Sequence, residues 1–455
     1  MAGGDLALRS AGDRHTVIVE KIVTGGQGLA RLADGLVVLV PFVLPGETVV
    51  VAVKKRHKGF ADGELLEVVT PSPQRVAPPC PVFGRCGGCQ LQHGEYQAQL
   101  ASKEGILRDL LGRDRHWSEA EIAGLYQPML ASPSPWGYRQ RVRLQVDDHG
   151  RLGFFASHSH AVVAIEACPL AAAELNQVLG ELRALRAFQQ LVPQVEALEL
   201  LLSPGGGRVE VRMHLRRKAR AADQQAAREV ACGVKLVQAV WLAVDGQAMI
   251  GPLGRERGEA DDGLALTISA TPGGRPLTLR FEAGGFCQVN QQQNEGLIHQ
   301  LVAWAELGRQ DRVLDLFCGM GNFSLPLALT AREVVGTDLQ RSSIRGAQAN
   351  ALANQLTNCR FLRAEALEAI RVLRQAGEHF DCILLDPPRQ GCRTIIPELA
   401  GLGAKKLIYV SCDPATLTRD LGALHEQGFR LRHLRGVDMF PQTAHLETIT
   451  LLVRE

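Results

Sequence analysis

Apolar and polar positions alternate with a two-residue period over the first part of the chain. From Thr16 to about Val69, the runs VIVEKIV, GLARLADGLVVLVPFVL, ETVVVAVKK and ELLEVV are short, β-branched and broken by Gly and Asp. That pattern predicts four or five strands, with Pro45-Gly46 at one turn, and so a small barrel of the OB type. The Pro-rich stretch from Pro71 to Pro79 reads as a stiff linker. Residues 90–115 have helical spacing. Residues 137–167 read as paired strands turning near Asp148-His149-Gly150, and a mixed stretch runs on to about Arg280, its strand GRVEVRMHLRRKAR rich in arginine. Beyond Gly284 a helix leads into RVLDLF, EVVGTD, CRFLRA, DCILLD, KLIYVSC, FRLRHLRGVDMF and ETITLLV. Strands alternating with helices predict a doubly wound α/β sheet. The expected organisation is a loose tail (1–14), an OB-like barrel (15–74), a central α/β domain (75–284) and a Rossmann-like α/β domain (285–455).

Composition narrows the function. A chain of 455 residues, 46% hydrophobic and 22% charged, is ordinary for globular domains, which excludes wholesale disorder. The net charge of +2 means that any nucleic acid must be held by local basic patches. One such patch is Lys54, Lys55, Arg56 and Lys58 with Phe60, which suits strand binding by a barrel loop and equally a solvated hairpin tip. The most apolar run, Leu36 to Leu44, contains Pro41 and is far short of the roughly 20 residues of a membrane span. No apolar signal-peptide core is evident near the start, so a cytoplasmic protein without a membrane partner is expected.

Cysteine grouping matters more than the count of eleven. Cys80, Cys86 and Cys89 form C-x5-C-x2-C around Gly87-Gly88, and Cys168, also followed by Pro, is a candidate fourth. Four thiolates suit zinc or an iron–sulfur cluster. A tight triplet plus one distant cysteine is closer to ferredoxin spacing than to the paired spacing of zinc sites. Buried cysteines without a ligand are the plainer reading.

The run VLDLFCGMGNFSL is a strand, a glycine turn and a helix start. Gly319 and Gly321 let a ligand approach the backbone, and Asp338, ending the next strand, can bind ribose hydroxyls. Ser324 stands where a dinucleotide fingerprint has its third glycine, which argues against NAD. With Asp315, these residues predict an S-adenosyl-L-methionine site, the alternative for Asp338 being a helix cap. Asp386 in DPPR ends the apolar strand CILLD at a rigid turn, where a reacting group can be placed or a helix capped. Cys412 follows the strand LIYV, one strand further on. A thiolate there can add to C6 of a uracil, so that C5 becomes nucleophilic toward a sulfonium methyl. A base must then remove the C5 proton, and Glu447 on the last apolar strand is the candidate. The plainer readings are an inert buried thiol and an exposed strand position.

With these residues together, the chain resembles the bacterial RNA uridine-C5 methyltransferases that carry an N-terminal TRAM barrel. The motifs are PGE (Pro45 to Glu47), CGGCQLQH, FCQVNQQQN, DLFCGMGNFSL, LLDPPRQG, YVSCDPATLTRD and DMFPQTAHLETITLL. The resemblance implies a 4Fe-4S cluster on Cys80, Cys86, Cys89 and Cys168 in the central domain. It implies cofactor contacts from Gln288, Phe317, Asn322, Asp338 and Asp386, with Glu365 near a further one. It places Cys412 as nucleophile, Glu447 as base and Phe286 beside the extruded nucleotide. Barrel and cluster together point to the branch acting on 23S ribosomal RNA, a monomer that flips a uridine from a single-stranded or loop region. Arg139, Arg141 and Arg143, with the arginine-rich strand, are expected phosphate contacts. A radical-type RNA-modifying enzyme, the same chemistry on another RNA, and a non-catalytic RNA-binding factor are the rival readings.

Overall fold

The computed structural model describes residues 14–203, 207–254, 264–282 and 284–454. The expected tail lies outside them except for Arg14, where the first strand begins. The chain forms two compact units.

The first unit holds the described part of Met1–Gly84, with Gly88–Leu107 and Gln442–Ala444. Its five strands, β1 (Arg14–Ile22), β2 (Gly28–Arg31), β3 (Val37–Val40), β4 (Thr48–Arg56) and β5 (Phe60–Thr70), close into a barrel in the order β1-β2-β3-β5-β4. The alternating residues Val17, Val19, Val38, Val40, Val49 and Val51 fill it. Gly28 is required by close approach, since a Cβ there would lie 2.2 Å from Val43. Pro45 and Gly46 (φ 82°) form the corner of a turn closed by Glu47 N–H donating to Leu44 O, the geometry that wants Pro then Gly. The Glu of the PGE motif is fully buried. Its carboxylate accepts from Leu44 N, Ser72 N and, at two points, the Arg75 guanidinium, which ties the Pro-rich linker to the barrel. Burial pushes the Glu47 carboxyl up, but the Arg75, Leu44 and Ser72 bonds outweigh it and hold it below the usual range. Helix α1 (Tyr96–Gly112) follows the linker.

The second unit begins its regular structure with α2 (Glu119–Leu125) and β6 (Tyr126–Leu130). Its central part contains β7 (Arg141–Val146), β8 (Leu152–Phe155), β9 (Val162–Ala164), α3 (Ala173–Ala184), α4 (Arg186–Leu191), β10 (Val195–Ser203), β11 (Arg208–Leu215), α5 (Ala221–Gly233), β12 (Val237–Ala243) and β13 (Ile250–Leu253). These strands form a seven-stranded sheet, β13-β12-β11-β10-β7-β8-β9. The arginine-rich strand stops at Leu215, because Asp223 turns the chain into α5 by accepting from Arg220 N and pairing with Arg217. A hairpin of β14 (Leu264–Ser269) and β15 (Pro276–Phe281) leads to α6 (Gln291–Ala305).

The remaining elements are β16 (Arg312–Leu316), α7 (Ser324–Ala328), β17 (Glu333–Asp338), α8 (Arg341–Ala353), β18 (Cys359–Arg363), α9 (Ala366–Gln375), β19 (Cys382–Leu385), α10 (Ile396–Leu399), β20 (Lys406–Ser411), α11 (Pro414–Glu426), β21 (Phe429–Val437) and β22 (Glu447–Arg454). Their sheet runs β18-β17-β16-β19-β20-β22-β21-β6. It is parallel from β18 to β20, and β22 is inserted antiparallel between β20 and β21. The edge strand β6 comes from more than 180 residues before the first of the others and pairs parallel with β21. Among the described residues, no helix is long and apolar enough to cross a membrane.

Candidate active site

The site lies in the second unit, where parallel strands end and chain direction reverses, the position at which open α/β sheets bind ligands. After β16 the backbone makes three left-handed steps at Phe317 (φ 71°), Gly319 (φ 54°) and Gly321 (φ 94°). A Cβ on Gly319 would meet only open space, so that glycine faces the cleft. One on Gly321 would lie 2.3 Å from Leu325, so that glycine lets the turn close on its own helix. Asp338 fastens the turn from below, one oxygen accepting from Gly319 N (3.1 Å) and the other from Gln340 N (2.7 Å). Both oxygens keep lone pairs for a further donor. Ser324, in place of a third glycine, donates its hydroxyl to the fully buried Asp315. Burial, less the Ser324 bond and with Asp386 and Asp338 nearby, pushes Asp315 up to about 8, so it is largely neutral at pH 7.

A cleft of about 750 Å³ is lined by Phe286, Gln288, Phe317, Gly319, Asn322 and Asp386, among others. Six of the expected ligand-contact residues therefore converge. Phe286 is 74% exposed at this cleft. Asn294, the last residue of the FCQVNQQQN motif, and two residues outside the motifs hold the lining in place. Asn294 on α6 exchanges two side-chain bonds with Asn322 (2.9 Å each). Asn350 on α8 bonds Met320 O and both backbone groups of Arg280, and Asn354 does the same for Thr278, so α8 clamps the hairpin beside the glycine turn. Glu365 is not brought into the cleft; it precedes α9 with its side chain exposed.

The reacting groups stand on the next strands. Ser411 pairs with Thr448 across β20 and β22, so Cys412 and Glu447 extend the same ladder by one residue on each side. Asp386 directly follows β19, the other neighbour of β20. Cys412 is partly buried and lies just before the Asp413 cap of α11, whose carboxylate accepts from Thr416 N at 2.7 Å. Glu447 is 6% exposed, which removes the exposed-strand alternative. Burial raises Glu447 to about 8, with Asp386 adding to the shift and Arg389 opposing it. Burial raises the Cys412 thiol to about 11, followed by Glu447, with Arg389 opposing and Asp386 adding. Burial puts Asp386 at about 7. A thiol, a carboxyl that titrates near neutrality and one guanidinium thus act on each other electrostatically next to Asp386, which lines the cleft. Such an arrangement can add a nucleophile and later remove a proton. Arg389 was not legible as a participant, because its reach comes from the turn that follows Pro387-Pro388.

The other expected residues separate by environment. In the barrel hairpin, Lys54 pairs with Glu64, and Arg56 with Asp34 at 3.2 Å. His57 stacks on Phe60 with ring centroids 4.5 Å apart and pairs with Asp62. In the central sheet, Arg141 is tied to the buried Glu199 and donates to Gly285 O at 3.1 Å, while Arg212 and His214 face the same carboxylate. Despite burial, His214, Arg141 and Arg212 hold Glu199 down at about 2. Arg141 is thereby a structural cation supporting the loop before Phe286. Arg139 lies over the rings of Phe440 and Tyr138, and Arg143 is exposed.

Cys80, Cys86, Cys89 and Cys168 are each partly buried, unlike the sealed Cys287, Cys318, Cys382 and Cys392. The backbone at Cys168 is fixed by Asn176, which accepts from Cys168 N and donates to Cys168 O. Cys86 bridges Ala156, and Gly87 donates to Phe155 O so closely that a Cβ would sit 3.1 Å from that oxygen. Partly buried thiols are, by their chemistry, donors that a thiolate-held centre uses. Among the described residues, no three His, Cys, Asp or Glu side chains gather as a metal-ion site.

Sheet order, glycine turn and strand-end acids define a Rossmann-like methyltransferase domain. Residues 95–455 match the family model for tRNA (Uracil-5-)-methyltransferase, and residues 9–66 match that for the TRAM domain. The chain belongs to this family of RNA uracil-C5 methyltransferases. It is 36% identical to 23S rRNA (uracil(1939)-C(5))-methyltransferase RlmD of Pectobacterium atrosepticum, over 97% of this chain and 94% of that one. The protein of the same name from Pseudomonas entomophila is 36% identical over 99% and 96%. The solved structure of Pyrococcus abyssi tRNA (uracil-54, C5)-methyltransferase in complex with S-adenosyl-L-homocysteine superposes with a TM-score of 0.72 at 23% identity. It covers 96% of this chain and 100% of that one, and so shares the fold.

Proposed function

We propose that the protein methylates C5 of a uridine in 23S ribosomal RNA, the uridine at position 1939 named for its relatives. The observation that carries the chemistry is the facing of Cys412 and Glu447 across adjoining strand ends beside a cleft lined by Asp386 and the glycine turn. S-adenosyl-L-methionine, when bound, supplies an electrophilic sulfonium methyl. Gln288, Phe317, Asn322 and Asp338 would bind and orient it, with Gly319 giving close backbone approach, while Glu365 lies outside the cleft.

The uridine is flipped out of its stack, because C5 and C6 are otherwise out of reach, and Phe286 replaces the lost stacking. The Cys412 thiolate forms a bond to C6 and pushes electron density to C5. C5 would then take the methyl group as the sulfonium S–CH3 bond breaks, with S-adenosyl-L-homocysteine as the leaving group. Glu447 removes the C5 proton, the electron pair restores the C5–C6 double bond, and Cys412 leaves as thiolate. A carboxyl near 8 is a stronger base than an ordinary one, which suits that step. RNA is held by Lys55, Lys58 and Arg143, with Lys54, Arg56 and Arg139 supporting; Arg141 acts through Gly285. Cys80, Cys86, Cys89 and Cys168 hold a 4Fe-4S cluster that organises the polypeptide, and no step passes through it. The protein acts as a monomer in the cytoplasm, where its ribosomal RNA substrate is found.

The test is incubation of anaerobically purified protein with S-adenosyl-L-methionine and 23S rRNA containing 5-fluorouridine. Fluorine cannot leave as a proton, so a denaturation-resistant complex should form with wild type and not with Cys412→Ala. Absence of any complex with wild type would remove the covalent mechanism.

A further inference from the structure

The reacting centre is held by a buried cluster outside it. Asp420 on α11 is fully buried. One oxygen accepts from the Tyr409 hydroxyl (2.9 Å) on β20 and from Cys392 N (2.8 Å). The other accepts from Arg419 Nε (2.9 Å), and Arg419 also donates to Gln390 O at 2.8 Å. These contacts grip the C-terminal side of a tight turn, closed by Gly391 N donating to Pro388 O, with Arg389 at its corner. Gly391 has φ 76°, and a Cβ there would lie 2.3 Å from the Asp420 carboxylate and 2.4 Å from Thr416. The turn is thus seated on α11 with no slack. The same helix begins immediately after Cys412.

We propose that Asp420 is a positioning residue which, through Cys392 N, Arg419 and Tyr409, fixes the Pro388–Gly391 turn on α11 and so holds the Arg389 guanidinium beside Cys412 and Glu447. One rigid helix then starts just past the thiol, behind its Asp413 cap, and carries the seat of the neighbouring cation. The groups facing Cys412 are Glu447 on β22, Asp386 after β19 and Arg389 on the turn, and Arg389 is the one that favours thiolate. Loosening the turn removes that contribution and leaves two carboxyls opposing ionisation. The inference rests on Cys412 being the nucleophile only for its effect on turnover, because thiol ionisation is measurable without RNA.

The experiment compares wild type, Asp420→Asn and Gly391→Ala in the intact protein. Iodoacetamide labelling of Cys412 is followed against pH by peptide mass spectrometry, with the exposed Cys232 as internal control. A rise of about one unit in the Cys412 midpoint, or about tenfold slower labelling at neutral pH, is expected in both variants. Labelling of Cys232 should not change, and kcat should fall with the KM for S-adenosyl-L-methionine little altered. An unchanged Cys412 profile in folded Gly391→Ala, or in folded Asp420→Asn, overturns the proposal, since a purely structural role lowers thermal stability without moving the thiol. If the thiol shifts as expected while Cys412→Ala retains full activity, the positioning stands and the covalent mechanism falls.

Discussion

Replacing Glu447 by Gln should do two things that ordinarily oppose each other: stop turnover and stabilise the protein. The stability effect follows from burial. In the folded chain Glu447 titrates at about 8 against an ordinary 4.5. Its protonated form is favoured by the fold, so the contribution is intact below about pH 4.5 and is lost progressively as pH rises toward 8. At about pH 7.5 the unfolded chain has ionised through about three pH units that folding must reverse, at about 1.4 kcal/mol each. The cost is therefore about 4 kcal/mol, and at about pH 5 it is under about 1 kcal/mol. A neutral amide of the same shape removes most of it. Urea unfolding should show Glu447→Gln more stable than wild type by several kcal/mol at pH 7.5 and nearly equal at pH 5. In the catalytic assay the same variant should accumulate a covalent complex with ordinary, unfluorinated RNA, because methylation proceeds and the C5 proton stays. Equal stabilities at pH 7.5, or turnover at the wild-type rate, would refute the reasoning.

Further outcomes follow from the same geometry. Glu47→Gln in the barrel breaks a buried pair with Arg75 and should cost about 3–5 kcal/mol at pH 7. Because the Glu47 carboxyl is held low in the fold, the wild-type advantage is present above about 4.5 and should vanish in acid, as read by melts across pH. Gly321→Ala places a side chain at φ 94° against Leu325, and thermal unfolding should show a loss of about 2–4 kcal/mol from strain and overpacking together. Arg143→Ala should weaken RNA binding and flatten its salt dependence by about one counterion. Arg141→Ala, which removes one of the three groups that face the buried Glu199, should lower the melting temperature before it changes the salt slope.

How far the sequence reaches depends on how local each signal is. The barrel was legible because its strands are consecutive and alternate cleanly, and its turn chemistry sits at Pro45-Gly46. The glycine turn, Asp338, Asp386 and Cys412 were legible because each ends an apolar strand of a parallel sheet, where topology alone brings them together. Strand β6 was not, since Tyr126–Leu130 is a short, half-exposed run that pairs with β21 over a separation of some 300 residues. Arg141 and Arg143 share a face of β7, so the strand period does not separate them; only the ion pair that Arg141 makes with the buried Glu199 marks it as a structural cation. Tyr409 and Asp420 stand at the two ends of the YVSCDPATLTRD motif, but nothing in that spacing gave Asp420 a role, since its contact with Cys392 is fixed by packing that spacing does not encode.

The most direct measurement is to map methyl transfer itself. Wild-type protein and S-adenosyl-L-methionine would be incubated with unmodified 23S rRNA and, separately, with unmodified tRNA, and the products digested for mass spectrometry. The account predicts one 5-methyluridine in 23S rRNA, at position 1939, none in tRNA, and none in either with Cys412→Ala. Methylation of tRNA instead, or transfer that survives the loss of Cys412, would contradict it.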